Sequence, residues 1–234
     1  MFNKESIDFL KSINRISNSI VLTYPVTTGR SEGSDIAYKF DLSKFDNDEF
    51  PEIGIYDLAG FLGIFSMFEP DRKVQIVDNV VTVSDSTTSV NYLTTAPSVL
   101  TQFTYGIQQF EKTNTFPTVL EMPLTVEDIR KLKIASSNLK ELDTAVIRSL
   151  DDEVTLELSV LEKFKKSSNS FKIRKPVSGT KNFSIGVSLE TISKIPQVDY
   201  TLIIKYNETR DAYRIILKTD AIVGFEMNLA VKVI

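Results

Sequence analysis

The stretch from residue 53 to residue 68 constrains the fold more than any other part of the chain. Its first residues, Ile53 to Tyr56, alternate as they would at the end of a buried strand. Asp57 follows at an N-cap position, where its carboxylate can accept the free backbone N–H groups of the next turn. Apolar residues then recur at helical spacing: Leu58, Phe61, Leu62, Phe65 and Phe68. The sequence therefore predicts a strand that leads directly into a helix over residues 57–68.

Two glycines, Gly60 and Gly63, lie inside this predicted helix. Each lowers helix propensity by roughly 1 kcal/mol relative to alanine. Glycines kept at such a cost often mark a close approach between two backbones. We therefore expect a second helix to pack across this one at the glycines.

Length and composition limit the classes of protein to which the chain can belong. At 234 residues, it exceeds the usual domain size of about 100–150 residues, which favours two domains. Its 42% apolar and 25% charged residues are typical of a globular protein. The most apolar run, residues 53–68, is shorter than the ~20 residues of a membrane helix. No apolar run follows a basic start at the N-terminus, so we expect no secretory signal and a cytoplasmic location.

The chain contains no histidine and no cysteine. Zinc sites with the usual nitrogen and sulfur ligands, disulfides, and cysteine or serine–histidine nucleophiles are therefore excluded. An enzyme built on this sequence would have to use carboxylates, lysine, serine, threonine or tyrosine. No phosphate-binding loop and no paired catalytic carboxylates stand out, so we predict no catalytic residues, no metal and no cofactor.

Apolar periodicity predicts four helices, at residues 4–16, 57–68, 126–139 and 189–195. Thr125 and Asp128 form a capping-box-like start for the third helix, and Ser188 is a candidate cap for the fourth. Strands are predicted at 20–26, 35–41, 53–56, 74–77, 80–84, 89–93, 99–110, 118–122, 143–150, 153–162 and 182–187, with three more to the C-terminus. Residues 27–34 are predicted to form a turn.

The polar segment 111–118 divides the chain into two halves with the same order of elements. Each half reads helix, strands, helix, strands, which is typical of a tandem repeat. We therefore predict an α+β fold with two similar domains, residues 1–113 and 114–234. Each domain would be an antiparallel sheet with two helices on one face.

Basic residues on the predicted helices are the main candidates for a binding site. Residues 1–115 carry 9 Lys and Arg against 15 Asp and Glu, whereas residues 116–234 carry 18 against 16. Cations nevertheless recur on three of the four helices. The candidates are Lys4, Lys11, Arg15, Arg130, Lys131, Lys133, Lys140 and Lys194. They could attract the DNA backbone without reading its sequence, or they could simply form solvated helix faces.

Three further groups of residues have competing interpretations. The basic hairpin 163–175 could contact DNA or protein, or its charges could protect a sheet edge from aggregation. The carboxylates at 46–49 and 151–153 lack the spacing of a calcium loop and fit turns better than a magnesium site. Four apolar residues near the domain boundary could form a groove for a partner's peptide or an interdomain core: Phe116, Val119, Leu120 and Met122.

The segment Ile55–Ile64 and the N-terminal residues Asn3–Ser6, Leu10–Lys11 and Ser19–Ile20 resemble the sliding clamps of T-even-type bacteriophages. The resemblance is strongest over residues 1–68. It implies two clamp domains per subunit and a homotrimeric ring around duplex DNA, with helices lining the hole and sheets outside. By position, the helix cations would face the DNA, and Phe116–Met122 would belong to the partner-peptide groove.

The same resemblance implies what the ring would do. Family members tether the replicative DNA polymerase for processive synthesis, are loaded by an ATP-dependent clamp loader, and also activate late transcription. The protein would act in the cytoplasm of the infected bacterial host. Two alternatives come from the residues alone: a noncatalytic virion structural or assembly protein with duplicated β-rich domains, and an enzyme that uses carboxylates.

Overall fold

The computed structural model describes residues 2–45, 49–69, 71–150, 153–159, 169–177, 182–222 and 224–234. The chain divides into two compact units. Unit 1 comprises residues 1–107 and 222–225, and unit 2 comprises residues 108–221 and 226–234. The predicted boundary at 113/114 lies within a helix, because residues Ile107–Asn114 are helical.

Unit 1 contains two helices and seven strands in the described part of the chain. Their bounds are α1 (Lys4–Ile13), β1 (Ile20–Leu22), β2 (Val26–Arg30), β3 (Ile36–Asp41), β4 (Ile53–Ile55), α2 (Leu58–Phe65), β5 (Lys73–Val77), β6 (Val80–Ser84) and β7 (Ser89–Leu93). A 3-10 segment, Pro97–Phe103, follows β7. β1 pairs with β4, β2 with β3, and β5–β6–β7 form a three-stranded antiparallel sheet.

Unit 2 has the same order of elements after an added helix and strand. Its bounds are α3 (Ile107–Asn114), β8 (Thr118–Leu124), α4 (Val126–Asn138), β9 (Thr144–Leu150), β10 (Glu153–Ser159), β11 (Phe171–Pro176), β12 (Phe183–Ser188), α5 (Leu189–Lys194), β13 (Tyr200–Asn207), β14 (Ala212–Thr219), β15 (Phe225–Leu229) and β16 (Lys232–Val233). One sheet has the order β11–β10–β9–β12–β16, and β15–β14–β13–β8 lie side by side in the other.

The predicted α+β class and the repeat are confirmed. From α1 or α4 onward, each unit runs helix, four strands, helix and then further strands, three in unit 1 and four in unit 2. The first and fourth of these strands pair in both units, β1 with β4 and β9 with β12. The two helices also contact each other in both units, α1 with α2 and α4 with α5.

Local capping explains where the helices begin. Asp57 accepts a hydrogen bond from the Gly60 backbone N–H at 2.9 Å, as predicted. Thr125 and Asp128 form the predicted capping box, and Ser188 accepts from the Glu190 N–H. Each bond satisfies a backbone donor that has no partner within its own helix.

Three of the predictions about elements are wrong. The first helix ends at Ile13 with Asn14 as its cap, so that Arg15 lies in the following turn. Residues 27–30 belong to β2 and not to a turn. Residues 99–110, predicted as a strand, instead contain the end of the 3-10 segment and the start of α3, because Pro97 favours a helical start and the new helix buries Phe110 and Thr113.

The expected helix contact at Gly60 and Gly63 is also absent from the described residues. A Cβ on Gly63 would meet open space, and the atoms nearest to one on Gly60 would be those of the Asp57 carboxylate. The close backbone approach lies one element earlier, in β4. A Cβ on Gly54 would lie 2.6 Å from the Thr95 carbonyl oxygen, because Gly54 bridges to Thr95.

We therefore expect Gly63→Ala to raise the free energy of unfolding by about 0.5–1 kcal/mol, since alanine favours the helix and meets no neighbour. Urea denaturation followed by circular dichroism would measure this. Gly60→Ala is the matched control. Its new Cβ would clash with the Asp57 carboxylate and disturb the cap, so it should not give the same gain in the free energy of unfolding.

Candidate nucleic-acid interface

The positive charge of the exposed cations of α1 is partly neutralised by an acidic residue on the same helix. Lys11 donates to Asp8 at 2.8 Å, with both side chains about half exposed. Lys4 is exposed at the start of α1, and Arg15 is exposed just after its C-terminus, where a cation complements the helix dipole. Neither has an ion-pair partner among the residues described. Because only Lys11 of these three cations is paired, the face keeps a net positive charge that Asp8 partly reduces.

The exposed face of α4 also carries cations that are paired with a carboxylate of the same helix. The guanidinium of Arg130 forms two hydrogen bonds with Glu127, at 2.7 and 2.8 Å, and Lys131 lies 3.5 Å from the same carboxylate. The hydrogen bond from Arg130 lowers the pKa of Glu127, so this residue stays ionised. One carboxylate thus serves two cations, which leaves a small net positive charge.

Lys133 donates hydrogen bonds to backbone groups of its own unit. Its ammonium donates to the carbonyl oxygens of Ser193 and Ile195, at 2.8 and 2.6 Å. These carbonyls lie at the C-terminal end of α5, where backbone acceptors lack partners in the helix. Lys133 therefore caps α5, and its predicted contact with DNA would require these bonds to break.

The remaining predicted cations lie at helix ends. Lys194, in the last turn of α5, pairs with Glu190 at 3.0 Å. Lys140 is exposed two residues beyond α4. α2 differs from the other helices, because none of its eight residues is charged. The predicted cations thus lie on or beside α1, α4 and α5.

The predicted peptide groove divides into exposed and buried parts. Phe116 and Val119 are partly exposed, whereas Leu120 and Met122 are 2% and 3% exposed on the inner face of β8. Leu120 and Met122 therefore belong to the core of unit 2 and cannot contact a peptide in this structure. Phe116 and Val119 alone keep an accessible surface.

Sequence reasoning missed a polar cluster that anchors the end of α3. Glu226, 5% exposed, lies 3.7 Å from the Lys218 ammonium and accepts a hydrogen bond from the Asn114 side chain. Lys205 donates to the Asn114 carbonyl oxygen at 3.0 Å. Alternation predicts one core face from Phe225, Met227, Leu229, Val231 and Val233. The structure buries the first three, but Val231 is partly exposed and Val233 is 64% exposed. Nothing in the pattern indicated that Glu226 would also be buried.

Several predicted sites lie wholly or partly outside the described residues. Asp46, Asp48, Asp151 and Asp152 are in this group, as are Lys163, Lys165 and Lys166 of the basic hairpin. Within the described ranges, no group of three or more acidic residues is placed to hold a metal ion. No described helix is long and apolar enough to cross a membrane.

No protein-family model and no curated protein matches the chain. Solved structures do match it over nearly its whole length. The proliferating cellular nuclear antigen of Entamoeba histolytica is 14% identical, with a TM-score of 0.66 over 97% of this chain and 94% of the other.

Two complexes match with similar coverage. The nuclear antigen of A. fulgidus, solved with the C-terminal region of FEN-1, is 13% identical, with a TM-score of 0.65 over 97% and 95% of the two chains. A PCNA2–PCNA3 complex from Sulfolobus tokodaii is 10% identical, with a TM-score of 0.61 over 97% and 95%. The chain thus has the fold of the sliding clamps.

Proposed function

We propose that this protein is a DNA sliding clamp, three copies of which close into a ring around duplex DNA. The observation that carries the proposal is the match of both units, over 97% of the chain, to clamp structures. Clamps serve as scaffolds, and we infer that this chain likewise acts without catalysing a reaction and without a cofactor. The closed ring, and not a high affinity for DNA, would keep the protein on the duplex. Release from a circular duplex would therefore require the ring to open.

The charge on the helices supports this mechanism. We propose that Lys4, Lys11, Arg15, Arg130, Lys131, Lys140 and Lys194 face the DNA, and that Lys133 does so only secondarily. Neighbouring carboxylates such as Asp8 and Glu127 reduce the field of these cations. Strong phosphate contacts would hold a protein at one position, because they dominate nonspecific affinity for DNA. Weak, exposed cations instead position the duplex and allow sliding.

For the partners, we propose a phage replicative DNA polymerase, tethered for processive synthesis, and an ATP-dependent clamp loader. A role in late transcription and action in the cytoplasm of an infected bacterium belong to the same proposal. The A. fulgidus complex supports binding of partner segments by this fold, since it holds the C-terminal region of FEN-1. Phe116 and Val119 are the residues that we propose for such a contact.

The double change Arg130→Gln and Lys131→Gln should weaken DNA binding without affecting the fold. Exposed pairs contribute about 0–1 kcal/mol each, so the free energy of unfolding should change little. Loss of two phosphate-facing cations should reduce the slope of log affinity against log salt by about one to two. Fluorescence anisotropy with a labelled duplex at several salt concentrations would measure this.

The matched control changes Arg210 and Lys232 to glutamine, since both are exposed and lie outside the five α-helices. An equal loss of affinity in the control would contradict the assignment of α4 to DNA. Lys133→Gln provides a third comparison, because it should lower the stability of unit 2 by removing the cap on α5.

The assembly state tests the ring directly. Light scattering should give about 79 kDa at high protein concentration, the mass of three 26.4 kDa subunits, and a lower mass after dilution. A monomer at every concentration would overturn the proposal. A trimer that retains no DNA would favour the virion structural alternative.

A further inference from the structure

A charged groove crosses the outer face of the β11–β10–β9 sheet in unit 2. Backbone pairing places Arg148 of β9 opposite Thr155 of β10, and Thr155 opposite Arg174 of β11. Neighbouring strands are about 4.8 Å apart, so the two arginine backbones lie about 10 Å apart with a hydroxyl between them. Both arginines and Thr155 line the same groove. Two planar guanidinium groups can therefore converge on one ligand above Thr155.

The arginines remain available because their partners within the groove are weak. Arg174 is 70% exposed, and its nearest carboxylate oxygen, on Glu153, is 3.8 Å away. Arg148 is exposed and has no ion-pair partner in the described ranges of the chain. A third cation, Lys172, lies 3.1 Å from Glu157, which largely neutralises it. The groove therefore has two forked donors for an incoming anion.

The other lining residues indicate which kind of anion fits. Glu153 and Glu157 flank Thr155 on the central strand β10, between the two strands that carry the cations. A continuous phosphate backbone would meet both carboxylates, whereas separate side-chain carboxylates can avoid them and pair with the arginines. Leu150, 52% exposed at one end of the groove, adds an apolar contact. The surface thus suits a peptide that combines acidic and apolar side chains.

We propose that this groove is a docking surface for an acidic segment of a partner protein, separate from the helices assigned to DNA. Arginine binds carboxylates bidentately, and the spacing of Arg148 and Arg174 suits two carboxylates or one held from both sides. Leu150 takes an apolar side chain of the same segment. This surface does not depend on the proposed DNA function, because it uses none of the same residues.

The test uses a fluorescein-labelled peptide of alternating glutamate and aspartate around one central leucine. Anisotropy titration of the full-length protein at low salt should show binding that weakens as salt increases. The double variant Arg148→Gln/Arg174→Gln should bind the peptide about tenfold more weakly, since charge-assisted forked pairs are the strong contacts. Glu153→Gln should tighten binding, because it removes a competing carboxylate.

Three comparisons can overturn the proposal. Equal peptide affinity in wild type and in the Arg148/Arg174 variant would exclude the groove. If Arg130→Gln/Lys131→Gln weakened peptide binding equally, the loss would reflect the net charge of the protein and not the groove. A larger loss of affinity for a single-stranded oligonucleotide than for the peptide would assign the groove to nucleic acid. Far-ultraviolet circular dichroism of each variant checks that the change in binding does not reflect unfolding.

Discussion

Replacing Phe61 with alanine should be among the most destabilising single changes in unit 1. Phe61 is fully buried on α2 and makes edge-to-face contacts with three other rings. The ring centroids lie 5.7 Å from Phe2, 5.1 Å from Phe65 and 5.2 Å from Tyr92. Loss of a buried phenylalanine costs about 3–5 kcal/mol, because it removes apolar contacts and leaves a cavity. We therefore expect the free energy of unfolding to fall by that amount.

Urea denaturation followed by circular dichroism suits this test, since the chain has no tryptophan to report by fluorescence. Tyr56→Ala is a matched aromatic control, because the Tyr56 side chain is 66% exposed beside the same helix. A loss below about 1 kcal/mol in Phe61→Ala would contradict the packing described for α2.

Replacing Lys175 with methionine should strongly destabilise unit 2. The Lys175 ammonium donates to the Asp128 carboxylate and, at 3.0 Å, to the Pro123 carbonyl oxygen. The two charged side chains are only 18% and 12% exposed, so the change leaves a nearly buried carboxylate without its cation. Breaking a buried pair costs about 3–5 kcal/mol. The remaining hydrogen bonds from Thr125 reduce the expected loss to about 2–3 kcal/mol.

The same carboxylate predicts how stability depends on pH. Burial acts to raise the pKa of Asp128, but hydrogen bonds from Lys175 and Thr125 outweigh it and hold the pKa below its usual value. A lowered pKa stabilises the folded state above the unfolded value of about 3.9. This stabilisation is lost as the pH falls from that value through the folded pKa.

Denaturation curves at several pH values for wild type, Lys175→Met and Asp128→Asn would test this account. Lys172→Met is the control on the same strand, because its pair with Glu157 is more exposed and should contribute less than about 1 kcal/mol. If the free energy of unfolding of Asp128→Asn fell at low pH as it does in wild type, this carboxylate would not couple folding to pH.

Local signals in the sequence were sufficient to predict where a helix begins, because there one side chain accepts a hydrogen bond from a backbone N–H only a few residues away. The caps at Asp57, Thr125 and Ser188 follow this rule, since each bond spans at most three residues. Hydrophobic periodicity likewise placed the core faces of α2 and β15. It extended α1 too far because Ile16, 4% exposed, continues the apolar pattern beyond the cap at Asn14.

Long-range contacts could not be predicted in this way. Lys133 shares a helix face with Arg130 in the sequence, but its partners in α5 lie about 60 residues away. The Arg148–Thr155–Arg174 row depends on the register of three strands, which no single-strand pattern specifies. Glu226 is buried where the end of α3 is anchored beside it. Its burial could not be predicted, because the sequence pattern predicts a strand over the first half of that helix.

Retention on DNA of different topology tests the sliding-clamp account most directly. Dilute subunits would be mixed with a nicked circular duplex and then concentrated, so that rings assemble around the DNA. Gel filtration at high salt would follow, since salt removes phosphate contacts but not topological linkage. We expect the protein to stay with the circle and to be released after a single cut makes the DNA linear. Equal retention on circular and linear DNA would contradict it, as would a trimer that never remains with the circle.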